Sequence, residues 1–542
     1  MKTLSKKSLA LCVGAILGGA ALVPTAHAVH QAADGLGDVM TNYYTTNSGN
    51  STLINYTNTS DRTIAMRVRV HEYRNSRSWD FTVILSPYDV WNATLADGGP
   101  GVGPVIFTSD ESCTIPAISR DENNPTVLAD NGFLEALENL TVQDPIVRIA
   151  EGYVNALVMG SKTEQASDAD HLNGVNCATE TARFVNYAPD AWSTLFAAYP
   201  NYTNNAIKGV FNVLNTVLGR NAATGMDTLA DFFDGSLAAA PLVGGGAPAY
   251  PAYIQNAAGG ASNLITLQMH PDDINVALGT VPVRFLASFF MPNMASANTF
   301  AYKLVADNVV GSTDAPVNRV GAQAVSYIYS HTDVINMWTA RVNPASGWAT
   351  ATDLVVHSPV KQFFVDYPVG QNDFAAGRYE NKPGVPPVNV LANNVATGPF
   401  NEPYNRTTGL SCDPVTWDIW DREENPDPKP INFSPAKWGA KLCFETNVIT
   451  FNGDSALESP NGYNIASTFN NGWIDLNLRS EGNRYGTGTP QNGPADPFHG
   501  LPVMSWAFTT RDDAATGLNE AISYPSAYQS NLPTQSLGAV VP

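Results

Sequence analysis

The sequence predicts a mainly β protein built from antiparallel β-sandwich domains of Ig-like type, with a partly helical insertion in the middle. The first observation is alternation, because Ile64, Met66, Val68 and Val70 are separated by single residues that are mostly polar. Such a period of two places one strand face in a core and the other in water. The second observation is the recurrence of turn residues at about ten-residue intervals, as in sandwiches.

Composition is the third observation. Charged residues make up 14% of the chain, aromatic residues make up 10%, and there are 43 glycines. A globally disordered chain carries more charge and fewer aromatic residues, so the composition indicates a folded protein. At 542 residues the chain is long enough for two or three domains with sizeable cores.

The first half contains the clearest strand pattern. Short apolar runs bounded by turn residues predict strands at 53–59, 64–70, 81–85, 90–95, 105–107 and 153–159. We therefore expect an N-terminal β-sandwich domain over residues 29–185.

The middle of the chain has a different character. Residues 191–198, 206–218 and 226–233 are rich in helix-compatible side chains, and residues 237–262 are rich in Gly, Ala and Pro. These segments predict a mixed, partly helical insertion over residues 186–310 with a long loop or an interdomain crossing.

Strand patterns return in the second half. The predicted strands are 324–329, 334–342, 354–357, 362–365, 416–420, 442–451 and 473–478. Asn452 and Gly453 follow one of them and form a strong turn signal. We expect a C-terminal β-rich domain over residues 311–542.

The first 28 residues have the features of an export signal. Lys2, Lys6 and Lys7 precede an apolar run over residues 9–23, and Ala26-His27-Ala28 supplies a small-x-small cleavage site. The run is too short to cross a bilayer, and no second apolar span follows. We predict a mature protein beginning at Val29, either at the cell surface, secreted or periplasmic, with no transmembrane segment.

The chain is acidic. Loss of three lysines with the signal would shift the formal net charge from −20 to −23. Such a surface repels nucleic-acid phosphates and anionic lipid, so nucleic-acid binding is set aside. The remaining interpretations are simple solubility and the binding of divalent cations.

Cysteine usage agrees with export. Cys12 lies inside the signal, in a context that does not suit lipidation, and four cysteines remain. An even number in an exported chain predicts disulfides. Three pairings are possible, and proximity in sequence favours Cys113 with Cys177 and Cys412 with Cys443.

Catalytic motifs are absent from the sequence. There is no Gly-x-Ser-x-Gly elbow, and His71-Glu72 lacks the second histidine of a zinc protease. No glycine loop ends in Lys-Ser/Thr. Any Ser-His-Asp triad would have to assemble from distant positions.

One acidic cluster lies beside tryptophans. The cluster contains Asp418, Asp421, Glu423 and Glu424, and it lies near Trp417 and Trp420. Aromatic rings beside carboxylates suit sugar binding, and two carboxyl groups at a defined separation suit glycoside hydrolysis. The alternative is a strand that runs into a solvated acidic turn.

Two oxygen-rich segments suit calcium, although no motif implies a cofactor. The first contains Asp168, Asp170 and Asn173 but departs from the EF-hand spacing, and the second contains Asp421, Glu423 and Glu424. The alternative for both is an ordinary acidic loop.

Scattered stretches together resemble a family of exported or cell-surface proteins of Gram-negative bacteria without a known activity. These stretches contain turns, strand starts and one cysteine. They are residues 34–38, 80–91, 353–366, 421–424 and 442–452. The resemblance implies export and a β-rich fold, and it supplies no catalytic residue.

Taken together, these features predict an exported, non-enzymatic, surface-associated protein with a structural or adhesive role. Its expected partners are further copies of the chain or surface polysaccharide. The alternatives are a secreted carbohydrate-active enzyme or sugar-binding module, and a periplasmic binding or assembly protein.

Overall fold

A computed structural model describes a large part of the chain. The described residues are 30–74, 76, 78–131, 133, 144–163, 177–185, 205–230, 328–343, 347–359, 361, 400, 410–427, 440–478 and 500–529. Strands account for 60% and helices for 6% of the structure, so the prediction of a mainly β protein is confirmed.

The strands are mostly short segments separated by turns. They are β1 His30–Gln31, β2 Leu36–Gly37, β3 Val39–Thr45, β4 Asn50–Asn58, β5 Arg62–Glu72, β6 Ser78–Leu85, β7 Val90–Asp97, β8 Pro104–Phe107, β9 Cys113–Ile115, β10 Thr126–Val127, β11 Glu151–Thr163, β12 Ile207–Asn215, β13 Arg220–Gly225, β14 Asp227–Ala230, β15 Ser330–His331, β16 Asp333–Thr339, β17 Arg341–Asn343, β18 Trp348–His357, β19 Asp413–Trp420, β20 Ala440–Leu442, β21 Thr446–Phe451, β22 Gly462–Ile465, β23 Asn471–Asn477, β24 Leu501–Pro502, β25 Met504–Asp513, β26 Leu518–Pro525 and β27 Ala527–Gln529. The α-helices are α1 Pro145–Ile149 and α2 Cys177–Val185, and 3-10 turns lie at Asn47–Gly49 and Ala129–Asn131.

Residues 30–230 contribute two sheets that pack as a β-sandwich-like unit. One sheet has the order β1-β14-β3-β11-β5-β6-β9, and the other has the order β10-β8-β7-β4-β12-β13, with β2 also paired to β12. Phe81 of the first sheet contacts Trp91 of the second, with ring centroids 5.6 Å apart, and Trp91 stacks on Tyr56. These large buried rings fill the space between the sheets.

Residues 328–529 contribute a five-stranded sheet, β20-β19-β23-β16-β27, and a sheet of the order β22-β21-β18-β25-β26, with β17 also paired to β18. Strands β15 and β24 form a further small ladder. Trp338 of the five-stranded sheet stacks on Phe451 of the other, with centroids 4.7 Å apart. Strands β21 and β22 are parallel, and the other pairs of described strands are antiparallel.

The two parts of the chain, residues 30–230 and residues 328–529, share one hydrophobic core. The Phe508 ring of β25 lies 5.6 Å from that of Tyr43 and 6.4 Å from that of Phe211. Arg220 of β13 forms an ion pair with Asp512 of β25 at the same boundary. The strands of both parts therefore form one continuous packed body.

The partly helical insertion is not confirmed. Residues 206–218 instead contain β12, which pairs with β4, and residues 227–230 form β14, which pairs with β3. In β12 the buried positions alternate with more exposed ones, and β-branched and aromatic residues favour a strand there. The predicted helix 191–198, the loop 237–262 and the strand 362–365 lie outside the described residues, as does the predicted boundary at 310.

The helices that can be described are too short and too polar to cross a membrane. Residues 1–28 lie outside the described residues, so the signal peptide stays a prediction.

Candidate functional site

The outer face of the five-stranded sheet gathers aromatic and acidic side chains from three neighbouring strands. Strand pairing places Trp420 of β19 opposite Trp473 of β23, which is opposite Met337 of β16. The next row contains Asp418 opposite Asp475. Alternation along each strand brings all of these side chains to one face, because Ile419 and Ile474, which lie between them in sequence, are buried in the core.

The central feature of this face is a tryptophan pair. The indole rings of Trp420 and Trp473 stack with centroids 3.9 Å apart and planes within 11°. Both side chains are partly exposed, and 67% of Met337 beside them is exposed. The facing sides of the two rings cover each other, so the outer faces and edges of the stack are what remains to meet solvent.

Close approach of the two strands depends on Gly472. A Cβ atom at this position would lie 1.9 Å from the backbone oxygen of Trp420. Real Cβ atoms do not approach backbone oxygens so closely, so only glycine lets β19 lie against β23 at this point. The glycine thus positions the neighbouring Trp473 against Trp420.

Carboxylates lie directly beside the rings. Burial, together with the negative charges of Asp333 and Asp418, raises the pKa of the Asp475 carboxyl to about 6. Asp418 is exposed, whereas Asp475 is partly buried. The face therefore combines a stacking surface with oxygen atoms that accept hydrogen bonds, and near pH 6 Asp475 also donates one.

Trp417 does not belong to this face. It points to the opposite side of β19, where it packs against the hydrophobic core and lies 6.0 Å from the ring of Tyr463. The tryptophan that joins Trp420 is Trp473, which sequence reasoning missed as a site residue. Its strand was predicted, but the register that pairs it with Trp420 is set by tertiary structure.

The acidic residues after β19 form a tight turn. Asp421 Oδ1 accepts hydrogen bonds from the backbone N–H groups of Glu423 and Asn425, at 2.9 and 2.8 Å. The Asn425 side chain donates to Asp421 Oδ2, and these bonds hold the pKa of the Asp421 carboxyl below its usual value. Glu423 and Glu424 are exposed. The Asp421 oxygens are thus engaged by their own turn.

Calcium binding stays a prediction. Asp168, Asp170 and Asn173 lie outside the described residues. Among the residues that the structure does describe, no group of three or more His, Cys, Asp or Glu side chains has a metal-binding arrangement.

Both cysteine pairs favoured by sequence proximity are brought to bonding distance. The sulfur atoms of Cys113 and Cys177 are 2.04 Å apart, and those of Cys412 and Cys443 are 2.10 Å apart. Beside the second pair, the buried Lys361 ammonium lies 2.7 Å from the Asp413 carboxylate and donates to the backbone oxygen atoms of Ser411 and Leu442.

The contact region between the two parts of the chain holds a second group of polar side chains that sequence reasoning missed. Tyr153 lies between His71 and His357, with ring centroids 4.4 and 4.1 Å away. Its hydroxyl donates to Ser76, which in turn donates to Glu445. All five side chains are buried, so this group joins the two parts and does not form an open site.

Comparison with known proteins supplies no information about the function of this chain. No family model, no curated protein and no solved structure matches the chain.

Proposed function

We propose that the chain is an exported, non-enzymatic, surface-associated protein with an adhesive role, and that the tryptophan pair of the five-stranded sheet binds polysaccharide. In this proposal the two parts of the chain are Ig-like sandwich domains. The observation that carries it is the partly exposed stack of Trp420 and Trp473 beside Asp418 and Asp475.

The chemistry of this face suits a sugar chain. The C–H face of a pyranose ring packs on an indole, and its hydroxyl groups donate to carboxylates at the rim. A site on a paired sheet is already ordered before the ligand arrives, which lowers the entropic cost of binding. Rows of residues across three strands also suit an extended ligand better than a single small molecule.

Two disulfide pairs support the exported location, because such bonds persist in oxidising compartments. Protease treatment of intact cells followed by fractionation tests the surface location. Full protection of the chain, with recovery only from the periplasmic fraction, would overturn it.

Affinity electrophoresis against a panel of soluble polysaccharides tests the ligand class. Trp420→Ala and Trp473→Ala should each weaken binding at least about tenfold, equivalent to about 1.4 kcal/mol. The matched control is Trp348→Ala, which removes an exposed indole from β18 in the other sheet. Equal loss in the control, or unchanged binding in both site variants, would contradict the proposal.

A secreted carbohydrate-active enzyme is the second candidate. Asp475, with its raised pKa, has the character of a general acid, and Asp418 opposite it supplies a second carboxyl group on the same face. Release of reducing sugar that is abolished in Asp475→Asn and retained in Asp421→Asn would favour the enzyme. Binding without product release would favour the adhesive role.

A further inference from the structure

Two buried carboxylates from different parts of the chain hold one segment, residues 455–461, which connects β21 to β22. Glu151 at the start of β11 accepts hydrogen bonds from Ser459 Oγ at 2.7 Å and Asn461 Nδ2 at 3.2 Å. Asp353 in the middle of β18 accepts from Ser455 Oγ at 2.6 Å and from the Leu457 N–H at 2.8 Å. The segment is therefore anchored at both ends by carboxylates.

The N-terminal part contributes further anchors around the same segment. Tyr43 Oη donates to Glu151 Oε1 at 2.7 Å, and Asn47 Nδ2 lies 3.4 Å from Oε2. Asn50 Nδ2 donates to the Leu457 carbonyl at 2.9 Å. Release of the segment would thus break contacts between the two parts of the chain.

The charge around the two carboxylates is negative or already paired. The Glu72 carboxylate of β5, next to β11, lies 2.9 Å from the Arg148 guanidinium of α1. Strands β21 and β25 place the uncharged Thr450 and Phe508 opposite Asp353. Within the segment, Glu458 is exposed, and on β3 the neutral hydroxyls of Tyr43 and Tyr44 are buried.

Neither carboxylate forms an ion pair with a cation among the described residues, and only 1% of Glu151 and none of Asp353 is exposed. Asp353 Oδ1 has no hydrogen-bond partner there. Burial, and then the negative charge of Glu151, raises the pKa of the Asp353 carboxyl to about 7, and burial also raises the pKa of Glu151. The hydrogen bonds that the two carboxylates accept lower these pKa values but offset burial only in part, so a proton on Asp353 removes the cost of one buried negative charge.

We propose that Glu151 and Asp353 form a proton-dependent clasp, which holds residues 455–461 tightly between the two parts of the chain at mildly acidic pH and loosens as the pair loses its protons. The clasp is independent of the proposed polysaccharide site.

The direction of the pH dependence follows from the linkage between proton binding and opening of the segment. An Asp carboxyl released to solvent has a pKa of about 3.9, whereas that of clasped Asp353 is about 7. The clasped state thus binds more protons between these values, and its advantage is complete below pH 4 and lost as the pH rises towards 7. The opening constant should rise by up to about tenfold per pH unit and become constant above pH 7.

Hydrogen exchange of the whole protein, followed by mass spectrometry from pH 5 to 8.5 and corrected for intrinsic rates, measures this opening directly. In the wild type, the protection factor of peptides covering residues 455–461 should fall by up to about tenfold per unit between pH 5 and 7 and then level off. Pulse lengths are scaled with pH so that the same extent of intrinsic exchange is sampled.

Asp353→Asn combined with Glu151→Gln keeps the shape of both side chains without titration. This double variant should show protection that varies by less than about twofold over the same range, while the exposed-site control Glu423→Gln should follow the wild type. A wild-type protection factor that does not change with pH would overturn the clasp, and this test does not depend on the folding of any variant. So would a wild-type-like slope in the double variant.

Discussion

The indole rings of Trp420 and Trp473 stack across neighbouring strands, with centroids 3.9 Å apart and planes within 11°. The two residues are distant in sequence, and their contact depends on the missing side chain of Gly472. Asp418 and Asp475 form the next row of the same sheet face. The stack also offers a spectroscopic signal, since closely stacked indoles couple excitonically.

Gly472→Ala should disturb the stack. The new Cβ atom would lie 1.9 Å from the Trp420 oxygen, so strands β19 and β23 must separate. We expect a loss of about 1–3 kcal/mol in the free energy of unfolding, together with loss of the indole exciton signal in circular dichroism. Gly225→Ala is the matched control, because its Cβ would have no atom within 4 Å. An unaltered exciton signal in Gly472→Ala would refute this role.

Lys361→Met should strongly destabilise the protein. It leaves the buried Asp413 carboxylate without the ammonium that lies 2.7 Å away, and loss of one partner from a buried pair costs about 3–5 kcal/mol. Urea denaturation measures the change. The double variant Lys361→Met/Asp413→Leu should recover much of the loss, and Glu520→Gln, which breaks an exposed pair with Arg511, should cost about 1 kcal/mol or less. Equal losses in Lys361→Met and Glu520→Gln would contradict the prediction.

His357 and His331 should make the fold sensitive to acid. Burial lowers the pKa of each imidazole to about 3, whereas an exposed histidine has a pKa of about 6.5. The unfolded state therefore binds more protons between these values. Stability is fully present above about pH 6.5 and is lost as the pH falls towards 3, by up to about 1.4 kcal/mol per unit for each residue.

Chemical denaturation across pH 4–7 tests this sensitivity. His357→Gln should reduce the slope of stability against pH by the contribution of one proton. An unchanged slope in this variant would exclude His357 as the source. Because the clasp has the opposite pH dependence, global denaturation reports the sum and only local exchange isolates the clasp.

Reduction of the disulfides should destabilise both parts of the chain. The bridges close loops with sequence separations of 64 and 31 residues. Loops of this size predict a loss of about 3–5 kcal/mol for each bridge in the chain-entropy description. Non-reducing peptide mapping should recover Cys113 joined to Cys177 and Cys412 joined to Cys443. Recovery of any other pair would refute the connectivity.

Several strands were predictable because their signals are local. The alternation of Ile64 to Val70 lies within β5, and that of residues 473–478 predicts β23. The error at residues 206–218 arose because periodicity alone does not distinguish a helix from a strand in a short apolar run. There the partner strand β4 decides the conformation, and it lies about 150 residues earlier in the chain.

The candidate site was only partly predictable. Trp420 and its acidic neighbours stand out in sequence, but nothing local shows that Trp417 faces the core while Trp473 completes the pair. The carboxylates of Glu151 and Asp353 carry no sequence signal at all, because their burial comes from the packing of two parts of the chain.

The sequence by itself determined the mainly β character, many of the strands and a preference between the possible cysteine pairings. These properties follow from side-chain periodicity, turn chemistry and loop length, which act over short stretches. Tertiary structure alone decided which indoles stack and which carboxylates share one segment. Such contacts depend on strand register and on the burial of surfaces far apart in the chain, and these are set by the free energy of the whole fold.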